Sequence, residues 1–200
     1  MRKATNDEEQ DTIFVDFLEE NSGRNIYVEV PYKDRKDLKT FVEDKLEEYN
    51  QKQRTPMPIV LFEEAISYVC KIHRIIKLGK GHGMLVGEGG SGRHSLSKLA
   101  AFIANYMLWE IEISKSYGMK SFKEDVKNWC EQAGQKNKPG VFLFSDNQIV
   151  NEGFIESINN ILTVGEVPNL FSPKEDYAGI RDKIKKEYLR SLGLEKDARV

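Results

Sequence analysis

Cysteine is scarce in this chain: two thiols, Cys70 and Cys130, in 200 residues. That excludes a disulfide scaffold and fits a reducing compartment. Histidine is nearly as scarce, at three, and neither residue type clusters at zinc-ligand spacing. No apolar run approaches the roughly 20 residues of a membrane-spanning helix. The opening MRKATNDEEQDT lacks the apolar stretch of a secretory signal. A surplus of one charge is missing too, since 30 Lys and Arg face 32 Asp and Glu, for a formal net charge of -2. So balanced a chain lacks the basic excess of a non-specific nucleic-acid binder. What remains is 40% hydrophobic and 31% charged, enough apolar material for a core. These absences lead to the expectation of a soluble, intracellular α/β protein with neither nucleic acid nor membrane as partner. At roughly 150 residues per domain, the length suits one large domain or two small ones.

Residues 1–12 are polar and read as a disordered tail. Ile13–Leu18 is a short apolar patch, and Ile26–Val30 alternates weakly before Pro31. From Asp34, Leu38, Phe41, Val42, Lys45, Leu46 and Tyr49 fall on one helical stripe. Pro56 and Pro58 interrupt the chain, so residues 13–55 read as a linker with an amphipathic helix, ahead of a core over 56–193. A second helix is expected from near Ile59, with Phe62, Ala65, Ile66, Val69, Ile72, His73 and Ile76 at helical spacing. Beyond it the pattern alternates. Met84–Val86 and Val141–Phe144 read as buried strands, and Leu108–Ile113 reads as a strand. Ser95–Tyr106, the stretch around Phe122–Ala133 and the stretch from Phe154 to Leu162 read as helices. This alternation predicts a parallel sheet flanked by helices. Ile180, Ile184, Tyr188, Leu189 and Leu192 predict a last amphipathic helix.

The most informative stretch is Met84-Leu85-Val86 followed by Gly87-Glu88-Gly89-Gly90-Ser91-Gly92-Arg93-His94-Ser95. A strand, a glycine run and a helix in that order are the context of a phosphate-binding P-loop. Glycines let main-chain N–H groups approach an anion, and the helix N-terminus adds partial positive charge. Gly87 and Gly92 have the spacing of G-x-x-x-x-G-K-[ST]. Arg93 then stands where lysine reaches the phosphates, keeping the charge in a planar fork. His94 stands where a hydroxyl holds Mg²⁺, an ion that prefers oxygen. Ser95 carries the hydroxyl one residue late, about 100° further round the helix. A glycine-rich turn without a ligand is the plainer reading of the same residues.

Val141–Phe144 leads to Ser145, Asp146 and Asn147. A carboxylate at the end of a parallel strand is where P-loop NTPases hold Mg²⁺. Asp146 is therefore the candidate metal-side residue, and a turn cap is its structural alternative. Asn147 occupies the place of a catalytic glutamate. It can position a water but cannot take its proton, and a turn role suits it equally.

These stretches together resemble the fourth AAA+ module of axonemal dynein heavy chains. The resemblance is carried by Ile59-Val60-Leu61-Phe62, Ile72–Ile76, Gly81–Gly87, Gly89–Arg93 and Ser95–Ile103. It continues through Phe142–Asp146, Asn159–Leu162 and Gly165–Phe171. It covers about residues 13–193, and 194–200 reads as a divergent tail. Such a likeness implies a P-loop AAA+ fold binding ATP or ADP with Mg²⁺, in a regulatory module with weak or no hydrolysis. It places Ile59 and Val60 beside the adenine, with core packing as the equal alternative for both. It implies neighbouring AAA+ modules and other dynein chains as partners, and microtubules through the intact heavy chain only. The implied location is the cytoplasm, cytoskeleton and ciliary axoneme. Glu88, where the family has a small apolar residue, and His94 depart from the pattern. The sensor strand, arginine finger and helical lid are not recognisable after Gly193, so a fragment or short isoform is expected. A non-catalytic interaction piece without nucleotide is the alternative.

His73 falls on the inward stripe of its helix and is expected to be a core histidine. His82 reads as a surface residue, Trp109 and Trp129 as packing residues, and Lys183–Lys186 as a solvated helix face.

Overall fold

The structure, a computed structural model, describes residues 12–18, 26–136, 138–172 and 176–192. The expected tail 194–200, and all of 1–12 except Thr12, lie outside the described residues. The chain forms two compact units, Met1–Tyr106 and Met107–Val200.

In the first unit, β1 (Ile13–Val15) and β2 (Val28–Val30) pair antiparallel, with Ile13 opposite Val30. A 3₁₀ turn at Tyr32–Asp34 leads into α1 (Arg35–Lys52). Two more helices follow, α2 (Glu63–Lys77) and α3 (Arg93–Ile103). The helical stripes bury as their spacing predicts. Leu38 and Val42 of α1 meet Ala65, Ile66, Val69 and Ile72 of α2, and Leu96, Leu99 and Ala100 of α3. The leucine, isoleucine and valine side chains among them each contribute about 1.5–3 kcal/mol when fully buried. Around this core Phe17 stacks on Phe41 at 4.9 Å, and Tyr49 meets the Phe102 ring edge-on at 5.3 Å.

Two expected elements differ in the structure. The second helix begins at Glu63, four residues after Ile59, because the segment containing Pro56 and Pro58 stays extended. Met84–Val86 is not a strand, and it is not buried: Met84 is 88% and Val86 80% exposed. No strand among the described residues pairs with it. A three-residue apolar run signals a preference for cover, and here no described residue supplies that cover.

In the second unit, β3 (Met107–Glu110) and β4 (Gly140–Leu143) pair in parallel, with Met107 opposite Gly140 and Glu110 opposite Leu143. The connection runs through α4 (Met119–Lys136). A parallel pair needs such a crossover. The sheet seen is thus two strands, shorter than the alternation predicts. A 3₁₀ turn at Asp146–Gln148 precedes α5 (Glu152–Thr163), and α6 (Asp176–Ser191) follows. Phe122 and Phe154, both fully buried, stack at 4.3 Å in a core with Ile111, Val126 and Val167. Trp129 packs on Phe142 at 5.3 Å. The last helix is amphipathic in sequence but buries none of its residues. It is held by Lys127–Asp176, by Lys183–Glu131 at 3.7 Å and by the Phe171–Tyr177 ring contact.

Candidate functional site

The glycine loop and the start of α3 lie in the first unit. Gly90 and Gly92 adopt left-handed backbone, at φ of 80° and 77°. That conformation costs a side-chain-bearing residue roughly 1–2 kcal/mol and is routine for glycine. Gly92 is the N-cap of α3, with no side-chain cap and no acidic residue in the first turn. The first intrahelical bond joins the Leu96 N–H to Gly92 O at 2.9 Å. The N–H groups of Arg93, His94 and Ser95 therefore precede the hydrogen-bonded helix, at the positive end of its dipole. Loop residues 82–91 are exposed, and Gly92 and Arg93 are half-buried.

Arg93 turns back over this loop. Its Nη2 donates to Glu88 O at 2.8 Å, and Nη1 reaches Leu85 O at 3.5 Å. A Cβ placed on Gly87 would lie 3.6–3.7 Å from Ser91 Oγ and from Arg93 Cδ and Cζ, so the loop closes around the guanidinium. His94 is exposed, while Ser95 is half-buried.

Asp146 and Asn147 lie in the second unit, just past β4. Ser145 caps the short turn. Its N–H donates to Gln148 Oε1 at 2.8 Å, and its hydroxyl donates to Asn147 Oδ1 at 2.6 Å. Gln148 Nε2 donates to Ile111 O at 2.8 Å, tying the turn to the segment that follows β3. Asp146 is exposed, and its Oδ1 accepts the Asn147 N–H at 3.0 Å. Sequence reading passed over Gln148, although Ser-x-x-Gln is itself a capping-box signal.

Ile59 and Val60 line an open groove of about 530 Å³, facing Glu43, Leu46, Glu47 and Asn50 of α1. The Met57 N–H donates to Asn50 Oδ1 at 2.7 Å, which pins the proline segment against that helix. Ile59 packs partly against the core, whereas Val60 is largely exposed. The glycine loop contributes nothing to this groove. Of the minor residues, Trp129 packs as expected, His82 is exposed, and His73 is buried. Among the described residues no helix is long and apolar enough to cross a membrane.

A family profile described as the P-loop containing dynein motor region D4 matches residues 57–198. The chain is 46% identical over 173 residues to the Dynein-1-beta heavy chain of the flagellar inner arm I1 complex from Chlamydomonas reinhardtii, a stretch that is 86% of this chain. It is 42% identical to mouse Dynein axonemal heavy chain 3 over 91% of its length. It is 45% identical to human Dynein axonemal heavy chain 10 over 82% of its length. The chain spans about 4% of the length of each of these relatives. With the profile matching well over half of its residues, the chain belongs to the dynein heavy-chain family, in the P-loop containing motor region D4.

Proposed function

We propose that this chain is a nucleotide-binding AAA+ core of a dynein heavy chain, taking ATP or ADP with Mg²⁺ in a regulatory role and hydrolysing it weakly or not at all. The observation carrying this function is the left-handed Gly92 at the start of α3, in a first turn with no acidic residue and no side-chain cap. Such a terminus favours an anion. Gly87, Glu88, Gly89, Gly90, Ser91 and Gly92 form the cradle, and Arg93, His94 and Ser95 supply the helix amides. Arg93 adds a cation able to grip phosphate in two places.

No group of three or more His, Cys, Asp or Glu able to hold a metal occurs among the described residues. Mg²⁺ fits this chain as an ion that arrives with phosphates and takes one further carboxylate. The exposed Asp146 is the residue with the right chemistry, an oxygen ligand. When bound, the ion neutralises phosphate charge. Asn147 orients a water without deprotonating it, which is why turnover is expected to be slow. Ile59 and Val60 are assigned to the adenine side. In the intact heavy chain the neighbouring AAA+ modules and other dynein chains are the partners. Microtubule movement in the ciliary axoneme belongs to that assembly.

Calorimetry with ATP and ADP, with and without Mg²⁺, tests the function. Micromolar binding is expected, with turnover far below the median enzyme rate of about 10 s⁻¹. The Arg93 guanidinium, already bonded to the loop's own carbonyls, favours a second reading: a non-catalytic interaction piece of the same motor. No binding at millimolar nucleotide would favour that reading instead.

A further inference from the structure

We propose that Asp16 and His73 form a proton-operated clasp that fastens the β1–β2 hairpin to α2, closed at neutral pH and released in mild acid.

Asp16 directly follows β1, and His73 lies near the C-terminal end of α2. Both side chains are almost completely buried, at 3% and 2% exposure. Their Oδ1 and Nδ1 atoms are 3.5 Å apart, at the outer limit of a hydrogen bond. Asp16 Oδ1 has no hydrogen-bond partner. The Phe17 ring closes over the imidazole edge-on at 4.9 Å and excludes water on that side. Lys77, one turn further along α2, stands 4.0 Å from Asp16 Oδ2 and rests over the Tyr106 ring at 5.6 Å. From the β2 side comes Tyr27, whose buried hydroxyl is also without a hydrogen-bond partner. Its ionisation is held back first by burial and then by the Asp16 charge, with Arg74 opposing and Tyr106 adding. The titratable groups around the pair are therefore Asp16 just after β1, Tyr27 just before β2 and Lys77 on α2, with Arg74 on α2 and Tyr106, between α3 and β3, acting on Tyr27.

The hairpin has three residue pairs. A ribbon that short is not stable by itself, so its order depends on its anchors. These are Ile13, Val15 and Val30 in the core, together with the Asp16 contact. With His73 neutral, the charged groups near it are the buried Asp16 carboxylate and the partly exposed Lys77 ammonium. A proton on the imidazole adds a second cation near Lys77, on a side chain that is itself almost completely buried. Burial depresses the His73 pKa, Asp16 opposes that, and Lys77 reinforces it, leaving it below the ordinary histidine value of 6.5. The sign follows: the folded form binds the proton less readily than the released form. The clasp is at full strength above pH 6.5 and weakens as the pH falls below it. Release lets the imidazole take its proton in water.

Histidine-detected NMR and amide exchange on the full chain test the clasp. The chain has three histidines, His73, His82 and His94, so the His73 ring signals can be assigned and followed. His73 is expected to titrate below the ordinary histidine value of 6.5. The β1–β2 ladder amides are expected to lose protection between roughly pH 7.5 and 5.5, by at most about tenfold, the ceiling for a released imidazole titrating at 6.5. The β3–β4 ladder serves as the internal control and should hold. His73→Gln, which cannot titrate, should abolish the pH dependence of the hairpin. If that variant does not fold, the wild-type titration and exchange data decide alone. His73 titrating at or above 6.5, unchanged hairpin protection at pH 5.5, or the same loss in a folded His73→Gln variant would each overturn the clasp.

Discussion

The guanidinium of Arg93 donates to the main-chain oxygen of Glu88 at 2.8 Å, so the first residue of α3 holds the glycine loop that precedes it. The loop and its cation thus act as one unit, although Glu88 carries a carboxylate within the same turn. The same five-donor fork that now bonds loop carbonyls can turn to phosphate oxygens.

Replacing Arg93 by alanine removes the fork. The loop is exposed, so water takes over the freed carbonyls, and stability should change by less than about 0.5 kcal/mol. Nucleotide affinity should fall further. A hydrogen bond to a charged group contributes about 1.5–3 kcal/mol, which corresponds to roughly 10- to 150-fold in binding constant. Arg93→Lys should recover part of it. Calorimetric titration of wild type and both variants measures the effect, and equal affinities in all three would remove Arg93 from the phosphate site.

Gly92→Ala tests the backbone rather than the charge. Nothing lies within 4 Å of the added Cβ, so the cost comes from the φ of 77° alone. It should be about 1–2 kcal/mol, visible as a lower denaturation midpoint. Because the residue sets the direction of the Arg93–Ser95 amides, nucleotide affinity should fall as well. Gly89→Ala, at a glycine with open space and no positive φ, is the matched control and should leave stability nearly unchanged.

The helical part of the fold was legible because burial follows a period that sequence displays. Leu38 with Val42, and Ala65 with Val69 and Ile72, are spaced for one face, and those faces are buried. The parallel pair was legible from Leu108 and Val141 for a related reason: apolar residues flanked by helical patterns need a crossover. Met84–Val86 shows the limit. Its composition matches that of a strand, but pairing depends on a neighbouring strand that no local pattern specifies. Helix starts slipped where Pro56 and Pro58 hold the chain extended. At the site, the glycine run was legible as a turn between two elements, and the structure adds that Gly90 and Gly92 are left-handed. The direction of Arg93 could not be read, because a long side chain chooses between loop carbonyls and solvent in three dimensions. The Asp16–His73 contact joins residues far apart in sequence, and no spacing rule links them.

Cysteine chemistry offers a test of the first core. Burial pushes the Cys70 thiol up to about 12, and Cys130 is raised by burial as well. At pH 8 the native chain holds almost no Cys70 thiolate, roughly a thousandfold less than an exposed cysteine. Alkylation of the folded protein should therefore leave Cys70 unmodified, and denaturant should expose both thiols to rapid reaction. Mass spectrometry of peptides after a short pulse of reagent reads this directly. Prompt native labelling of Cys70 would mean that the α2 packing opens easily.

Asp146 and Gln148 can be separated, although they share one turn. Asp146 is exposed and its Oδ1 accepts a local N–H, so Asp146→Ala should cost little stability. It removes the carboxylate, and the gain in nucleotide affinity on adding Mg²⁺ should shrink while Mg²⁺-free binding stays the same. Gln148 has the opposite profile. Its carboxamide accepts from Ser145 N–H and donates to Ile111 O, so Gln148→Ala leaves two partly buried main-chain groups unpaired. That should cost about 1–3 kcal/mol, seen in urea denaturation. Once the turn loosens, the Mg²⁺ gain should fall too, because the carboxylate is no longer held. If Asp146→Ala keeps the full Mg²⁺ gain, the residue is a turn component and nothing more, and the metal-side assignment fails while phosphate binding at the glycine loop stands.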